Sequence, residues 1–152
     1  MLLCACDMQE QSTQLAQIKE QNKIRVGTLA SASNYYQAVQ GEQGFEYELS
    51  QAFADYLGVE LEIVPFFNLS DMFARLESGD LDLIASGLTY NKARAQQYRY
   101  GPTYRTISQK LVYKQGRVRP REFDDLDGNF TVIAKSSHSL TLQKIKKNNP
   151  SL

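Results

Sequence analysis

From Glu46 to Leu57 the apolar residues Leu49, Phe53 and Leu57 recur every four positions, and Gly58 follows at once. That period places them on one face of a helix, which a glycine can end in the left-handed conformation. Runs of a different period bracket this helix. Ile24, Val26 and Thr28 alternate with polar or small residues before it; Leu61 and Ile63 alternate after it, with Pro65 closing the run. A period of two is that of a half-buried strand. The unit then repeats. Ser70 is placed to cap a second helix with Phe73 and Leu76 on its apolar face and Gly79 at its end. Leu81, Leu83 and Ile84 make a short buried strand running into Ala85-Ser86-Gly87. Strand, helix, strand, helix, strand with short links predicts an α/β fold on a parallel sheet with right-handed crossovers.

Around this centre, residues 14–22 read as a short amphipathic helix with Leu15 and Ile18 on one face, and residues 30–44, with Tyr35-Tyr36, as a loop. A small helix is expected at 91–97 and a strand at about 108–114, where Leu111 and Tyr113 alternate. Residues 105–121 hold six basic residues and no acidic one, and read as a solvated strand edge and connector rather than an anion-binding strip. A turn at 123–128, a strand at 130–134 and a basic-ended helix at 140–147 start a second α/β unit. The expected organisation is an N-terminal tether and helix over 1–22, a first lobe over 23–114, a connector over 115–122 and the start of a second lobe over 123–152.

Seventeen basic residues balance seventeen acidic ones, so the chain lacks the positive excess that draws proteins to nucleic acid. No apolar run is long enough to span a bilayer. Cys4 and Cys6 are too close for an unstrained disulfide in an extended segment, and with His138 as the sole histidine no metal site is expected. Nucleotide-binding glycine motifs are absent, so no cofactor is expected either. Asp80/Asp82 and Asp124/Asp125 sit at strand entries and turns, where solvated acids are common, and no catalytic residue is assigned.

Ligands of open α/β sheets bind beyond the carboxyl ends of the strands. Three segments qualify: Ala30 to Tyr36, Ser86 to Thr89, and Lys135 to Ser139. Ser86-Gly87 lets backbone come close to a ligand. Thr89 offers a hydroxyl and an N–H, and the planar fork of Arg94 suits a carboxylate. Arg94 as an ordinary helix-surface residue is the competing reading.

Two resemblances add to this. Leu3-Cys4-Ala5-Cys6 resembles the lipobox of bacterial lipoproteins, after an apolar stretch reduced to Met1-Leu2-Leu3. It implies acylation of Cys6, a tether over Asp7 to Thr13 and a lipid-anchored, membrane-associated periplasmic protein. Ile24-Arg25-Val26-Gly27-Thr28, Gly44 to Leu49, Phe53 to Val59, Leu76 to Ile84 and, above all, Gly87-Leu88-Thr89-Tyr90-Asn91-Lys92-Ala93-Arg94 resemble the polar amino-acid-binding proteins of bacterial ABC importers. The likeness implies a periplasmic-binding-protein-like two-lobe fold, with the first lobe nearly complete and the second truncated, before the chain returns to close the first. It also implies that Thr89 and Arg94 grip a ligand carboxylate and that Tyr35 or Tyr36 covers its apolar part. Ser136 and Ser137 would stand in the second lobe where importers carry a Gly-Ser-Thr type turn.

Closer still, Gly87 to Asn91, Gly101-Pro102-Thr103-Tyr104, Ser108 to Lys114 and Arg119-Pro120-Arg121 resemble the membrane-bound lytic murein transglycosylase F family. That family joins a solute-binding-like regulatory module to a C-terminal lysozyme-like lyase domain acting on peptidoglycan. The resemblance implies a module sensing a small carboxylate ligand, a murein peptide or an amino acid, and contact with peptidoglycan through a catalytic domain outside this chain. It also implies the cell outer membrane, although Asp7 after Cys6 resembles an inner-membrane retention signal. Glu77-Ser78 only echoes that domain's Glu-Ser motif, since it ends a helix and the chain has no Trp. The alternative function is the amino-acid-binding protein of an importer.

Overall fold

The computed structural model describes residues 13–114, 116, 119–122, 125 and 129–150. The lipobox-like segment with Cys6, and most of the turn expected at 123–128, lie outside the described residues. The chain divides after Gly87 into two compact units.

In the first unit, helix α1 (Gln14–Glu20) leads into strand β1 (Lys23–Leu29), a hairpin of β2 (Tyr36–Ala38) and β3 (Gly41–Gln43), helix α2 (Phe45–Leu57), strand β4 (Glu60–Phe66), helix α3 (Leu69–Glu77) and strand β5 (Leu83–Ile84). The sheet order is β4-β1-β5. Both pairings are parallel, Lys23 opposite Glu60 through Leu29 opposite Phe66, and Val26 opposite Leu83. This is the α/β arrangement that the alternating periods predict.

On one face of the sheet Ile18, Ile24, Val26 and Ala54 form a buried cluster, with Leu57, Val59, Leu61 and Ile63 against it. Successive strand residues face opposite ways, and on the other face Gly27 admits close packing. A methyl group there would fall 2.6 Å from Leu81 Cδ1 and 3.2 Å from Met72 Cγ.

Four expectations need correcting here. Pro65 does not close its strand; it lies within β4, opposite Thr28. Because β4 is an edge strand, the N–H that proline lacks can be one that would point away from β1. The second helix is capped by Asn68 rather than Ser70. Asn68 Oδ1 accepts from the Asp71 N–H at 2.9 Å, and Ser70 is already inside the helix. Its buried residues are Leu69 and Met72, with Phe73 and Leu76 only partly covered. The third correction concerns α2, whose inward stripe is Glu46, Ser50 and Ala54, exposed by 1%, 2% and 0%, whereas Leu49 and Phe53 are each 41% exposed. Small side chains at Ser50 and Ala54 let the helix lie close to the sheet, so the apolar stripe sits at its flank with only Leu57 reaching the core. Gly58 (φ 72°) ends the helix as its position predicts.

The fourth is the hairpin inside the expected loop. Its strands are three residues long and without apolar alternation; it pairs Tyr36 with Gln43 and Ala38 with Gly41. Gly44 then turns the chain into α2 at φ 132°, where a Cβ would collide with the Asn34 carbonyl.

The second unit contains a short helix α4 (Lys92–Ala95) and a longer helix α5 (Ser137–Asn148). Asn91 Oδ1 caps α4 by accepting from the Arg94 N–H at 2.8 Å. Ser136 caps α5 by accepting from the Ser139 N–H at 3.2 Å, which starts this helix three residues ahead of the expected Leu140. The strands expected near 108–114 and 130–134 do not form. Residues 101–114 are exposed, and among the described residues no strand pairs with either segment. Alternation marks a face, but a strand exists only when a neighbour takes up its N–H and C=O groups.

Candidate functional site

The residues singled out by sequence fall in both units. In the first, the chain leaves β1 through Ala30 and Ser31, whose N–H groups donate to the carbonyls of Phe66 and Tyr35 at 2.8 and 3.0 Å. Asn34 Nδ2 reaches Ser86 Oγ at 3.3 Å, and the same oxygen accepts from the Leu29 N–H at 3.0 Å. Ser86 is thereby a buried link between the end of β5, the end of β1 and the loop after it. Gly87 follows at φ 57°.

The two tyrosines have different partners. Tyr35 donates to Glu42 Oε1 at 2.6 Å, and Tyr36 to Gln43 Oε1 at 2.8 Å. The bond to Glu42, aided by burial and by that carboxylate's charge, pushes the Tyr35 phenol up to about 12. Burial, with Glu42 nearby, also raises Tyr47, whose ring lies 6.1 Å from that of Tyr35. Tyr36 remains 40% exposed. Glu42 and Gln43, not singled out in the sequence, are what hold the Tyr35 and Tyr36 hydroxyls. Of these contacts the hairpin register accounts for Tyr36 opposite Gln43; Glu42 stands opposite Gln37 and reaches Tyr35 from there.

In the second unit Thr89, Arg94, Tyr100, Lys135 and Ser137 converge. Arg94 Nη1 donates to the Thr89 carbonyl at 3.2 Å and to the Tyr100 hydroxyl at 3.4 Å; Nη2 donates to the Lys135 carbonyl at 3.1 Å. Ser137 Oγ donates to Thr89 Oγ1 at 3.2 Å, and Gln109 Nε2 is 3.5 Å from Ser137 Oγ. Tyr100 also packs edge-on against Tyr90, with ring centroids 5.2 Å apart. Ser136 is buried and capping α5, so its hydroxyl is already engaged. Of the expected residues, then, Thr89, Arg94 and Ser137 come together within this unit, joined by Tyr100 and Lys135. Lys135 is one of the few non-glycine residues at positive φ, 57°. Chemically this is a cluster of cationic and hydroxyl donors suited to an anionic oxygen ligand.

The acids have structural partners. Asp82 takes a two-pronged contact from Arg25, Nε to Oδ2 at 2.9 Å and Nη2 to Oδ1 at 2.7 Å, and accepts from the Arg25 N–H at 2.9 Å. Burial pushes the Asp82 carboxyl up, but these bonds and the guanidinium charge outweigh it and hold it below the usual range. Asp80 is lowered by bonds from Ser78 and Arg75, and Asp125 by the N–H groups of Arg121 and Glu122. Among the described residues no group of three or more His, Cys, Asp or Glu side chains is arranged to hold a metal, and no helix is long and apolar enough to cross a membrane.

The pattern of the bacterial extracellular solute-binding proteins, family 3, matches residues 24–152. The chain belongs to that family. Within it the chain is 90% identical, over all 152 residues, to the membrane-bound lytic murein transglycosylase F of Pseudoalteromonas translucida, covering 32% of that protein. It is 44% identical over 137 residues to the protein of the same name from Yersinia enterocolitica, covering 90% of this chain and 28% of the relative. The Idiomarina loihiensis protein of that name is 42% identical over 153 residues, 99% of this chain and 34% of the relative. The chain thus spans about a third of the length of these relatives.

Among solved structures this solute-binding chain is similar to an ancestral cyclohexadienyl dehydratase (TM-score 0.56, 25% identity, 62% of this chain and 39% of that one). It is also similar to an ancestral amino acid-binding protein, a precursor of that dehydratase (TM-score 0.51, 30% identity, 55% and 37%). A third neighbour is a variant of the arginine-bound domain 1 of TmArgBP (TM-score 0.50, 28% identity, 54% and 64%). The parallel sheet and the partial cover of two of these neighbours fit a periplasmic-binding-protein-like fold of which this chain is a truncated part.

Proposed function

We propose that this chain is the ligand-binding regulatory module of a membrane-bound lytic murein transglycosylase, and that it recognises a small carboxylate ligand, a murein peptide or an amino acid. The observation that carries the reading is the convergence of Arg94, Thr89 and Ser137 in one unit, where donors for a carboxylate are gathered. In the first unit, taken by itself, Tyr35 or Tyr36 and Ser86-Gly87 are proposed as further ligand-contacting residues. The chemistry named for the relatives belongs, in this reading, to the two thirds of those proteins that this chain does not span, and peptidoglycan is met through that part. The names of the relatives and the Cys6 motif support a periplasmic, membrane-associated location, and we place it at the outer membrane. Cys6→Ser should release a longer form carrying this segment into the soluble fraction; unchanged fractionation removes the anchor.

The amino acid-binding neighbour and the arginine-bound domain favour a second reading, the binding protein of an amino-acid importer. Titration calorimetry separates the two. Under the first, a murein tripeptide binds more tightly than free amino acids; under the second, the order reverses. In either case Arg94→Ala should weaken binding by about thirtyfold to a few thousandfold, because truncating one side of a desolvated charged contact costs about 2–5 kcal/mol. Arg94→Lys should restore little of it, since an ammonium lacks the planar fork. Equal binding by wild type and Arg94→Ala removes the carboxylate site.

A further inference from the structure

Arg94 and Thr89 are engaged by one short turn. Arg94 Nη2 donates to the carbonyl of Lys135, and Thr89 Oγ1 accepts from the hydroxyl of Ser137. Between these two contacts lies Ser136, the cap of α5. Lys135 sits at φ 57°, a conformation that L side chains rarely adopt, and this is the backbone state in which its carbonyl meets the guanidinium. A strained residue that presents a neutral oxygen to the donor fork of a binding site is a stand-in for the ligand's own oxygen.

We propose that the 135–137 turn is an internal latch on the carboxylate site: it engages Arg94 and Thr89, and a ligand carboxylate must displace the Lys135 carbonyl to bind. The inference rests on the proposed reading of Arg94 and Thr89 as ligand groups. A carboxylate is the stronger acceptor for a guanidinium, so the exchange runs forward once ligand is present. The latch lowers apparent affinity by the fraction of molecules in which it is open, and it ties ligand binding to the start of α5. The site thereby reports occupancy through a helix end rather than only through the ligand contacts.

The backbone conformation of Lys135 allows a test with two variants of opposite sign. Lys135→Gly keeps φ positive without steric cost and tightens the latch, whereas Lys135→Val disfavours that state and loosens it. The full chain and both variants are titrated by calorimetry with L-arginine and with the tripeptide L-alanyl-D-glutamyl-meso-diaminopimelate. The expected result is binding weakened about threefold to tenfold in Lys135→Gly and tightened by a similar factor in Lys135→Val. In the wild type the carbon-13 resonance of the Lys135 carbonyl should move toward its unbonded position at saturation. If the turn is merely structural, Lys135→Val instead weakens binding by disturbing Ser137, and Lys135→Gly leaves it unchanged or improved. That sign pattern, or equal binding by all three proteins, overturns the latch while leaving the carboxylate site intact. Failure of wild type and Lys135→Val to bind either probe at millimolar concentration overturns the carboxylate reading, and the latch with it.

Discussion

In the first unit β1 has a parallel neighbour on each edge, and Ile24, Val26 and Thr28 on its inner face are almost wholly buried. In the second, Ile107, Leu111 and Tyr113 alternate in sequence in the same way, yet they are 51%, 50% and 45% exposed and no ladder forms among the described residues. The two arginines show a parallel contrast. Arg25 is locked on the Asp82 carboxylate at the start of the sheet, whereas the terminal nitrogens of Arg94 meet carbonyl and hydroxyl oxygens. A guanidinium already on a carboxylate has little to gain from a ligand's. The contacts that Arg94 makes with the Thr89 and Lys135 carbonyls are each weaker than a carboxylate's would be. The lesson is that the alternating pattern and the residue type set what a segment can do, and the partner it finds sets what it does.

Substitutions can break or sharpen this contrast. Ile24→Ala removes buried volume from the central strand and should cost about 3–4 kcal/mol of stability, read from urea unfolding by tyrosine fluorescence. A loss below about 1 kcal/mol would mean the sheet is not the core. Asp82→Ala should cost about 3 kcal/mol, the low end for a broken buried pair because the Arg25 side chain keeps 30% of its exposure.

The same pair predicts acid sensitivity. Asp82 has a folded-state pKa below its unfolded one, so its contribution is complete above about pH 4 and is lost as pH falls through the lowered folded value. Melting temperatures recorded from pH 7 to pH 3 should fall less steeply in Asp82→Asn than in wild type; parallel curves would remove Asp82 as the cause. Asn68→Ala should cost about 1 kcal/mol by uncapping α3, and Ser70→Ala almost nothing. If Ser70→Ala costs more, the cap is misassigned. Smallest of all, Leu111→Ala should change stability by less than about 0.5 kcal/mol, since its side chain has no core to leave. A large loss there would show that the 107–113 segment is packed after all.

Much of the first unit was legible because periods of two and four mark the type and place of an element: β1, α2 and β4 lie where the pattern puts them, while β5 is shorter than expected, with Leu81 buried outside it and Leu83 37% exposed. The α2 face was misread because Leu49 and Phe53 outweigh Ser50 and Ala54 in any hydrophobic count, while close packing of helix on sheet favours the small pair. The hairpin was invisible, since its cross-strand pairs, Tyr36–Gln43, Gln37–Glu42 and Ala38–Gly41, carry no periodic apolar signature. At the candidate site Thr89, Arg94 and Ser137 were named from the loops that hold them. Tyr100 was not named, and Lys135 only as the start of a candidate loop, since a backbone carbonyl presented by a positive φ leaves no trace in side-chain chemistry.

The central claim is that Arg94, and not Arg25, is the arginine that meets a ligand. It is tested most directly by following the Nε–H signals of both side chains by nuclear magnetic resonance while the chain is titrated with the murein tripeptide and, separately, with L-arginine. The account predicts a saturable shift of the Arg94 signal, with the Thr89 and Ser137 amides moving in step, and an unmoved Arg25 signal. A silent Arg94 signal beside saturable shifts elsewhere, or a shift of Arg25 in its place, would contradict it.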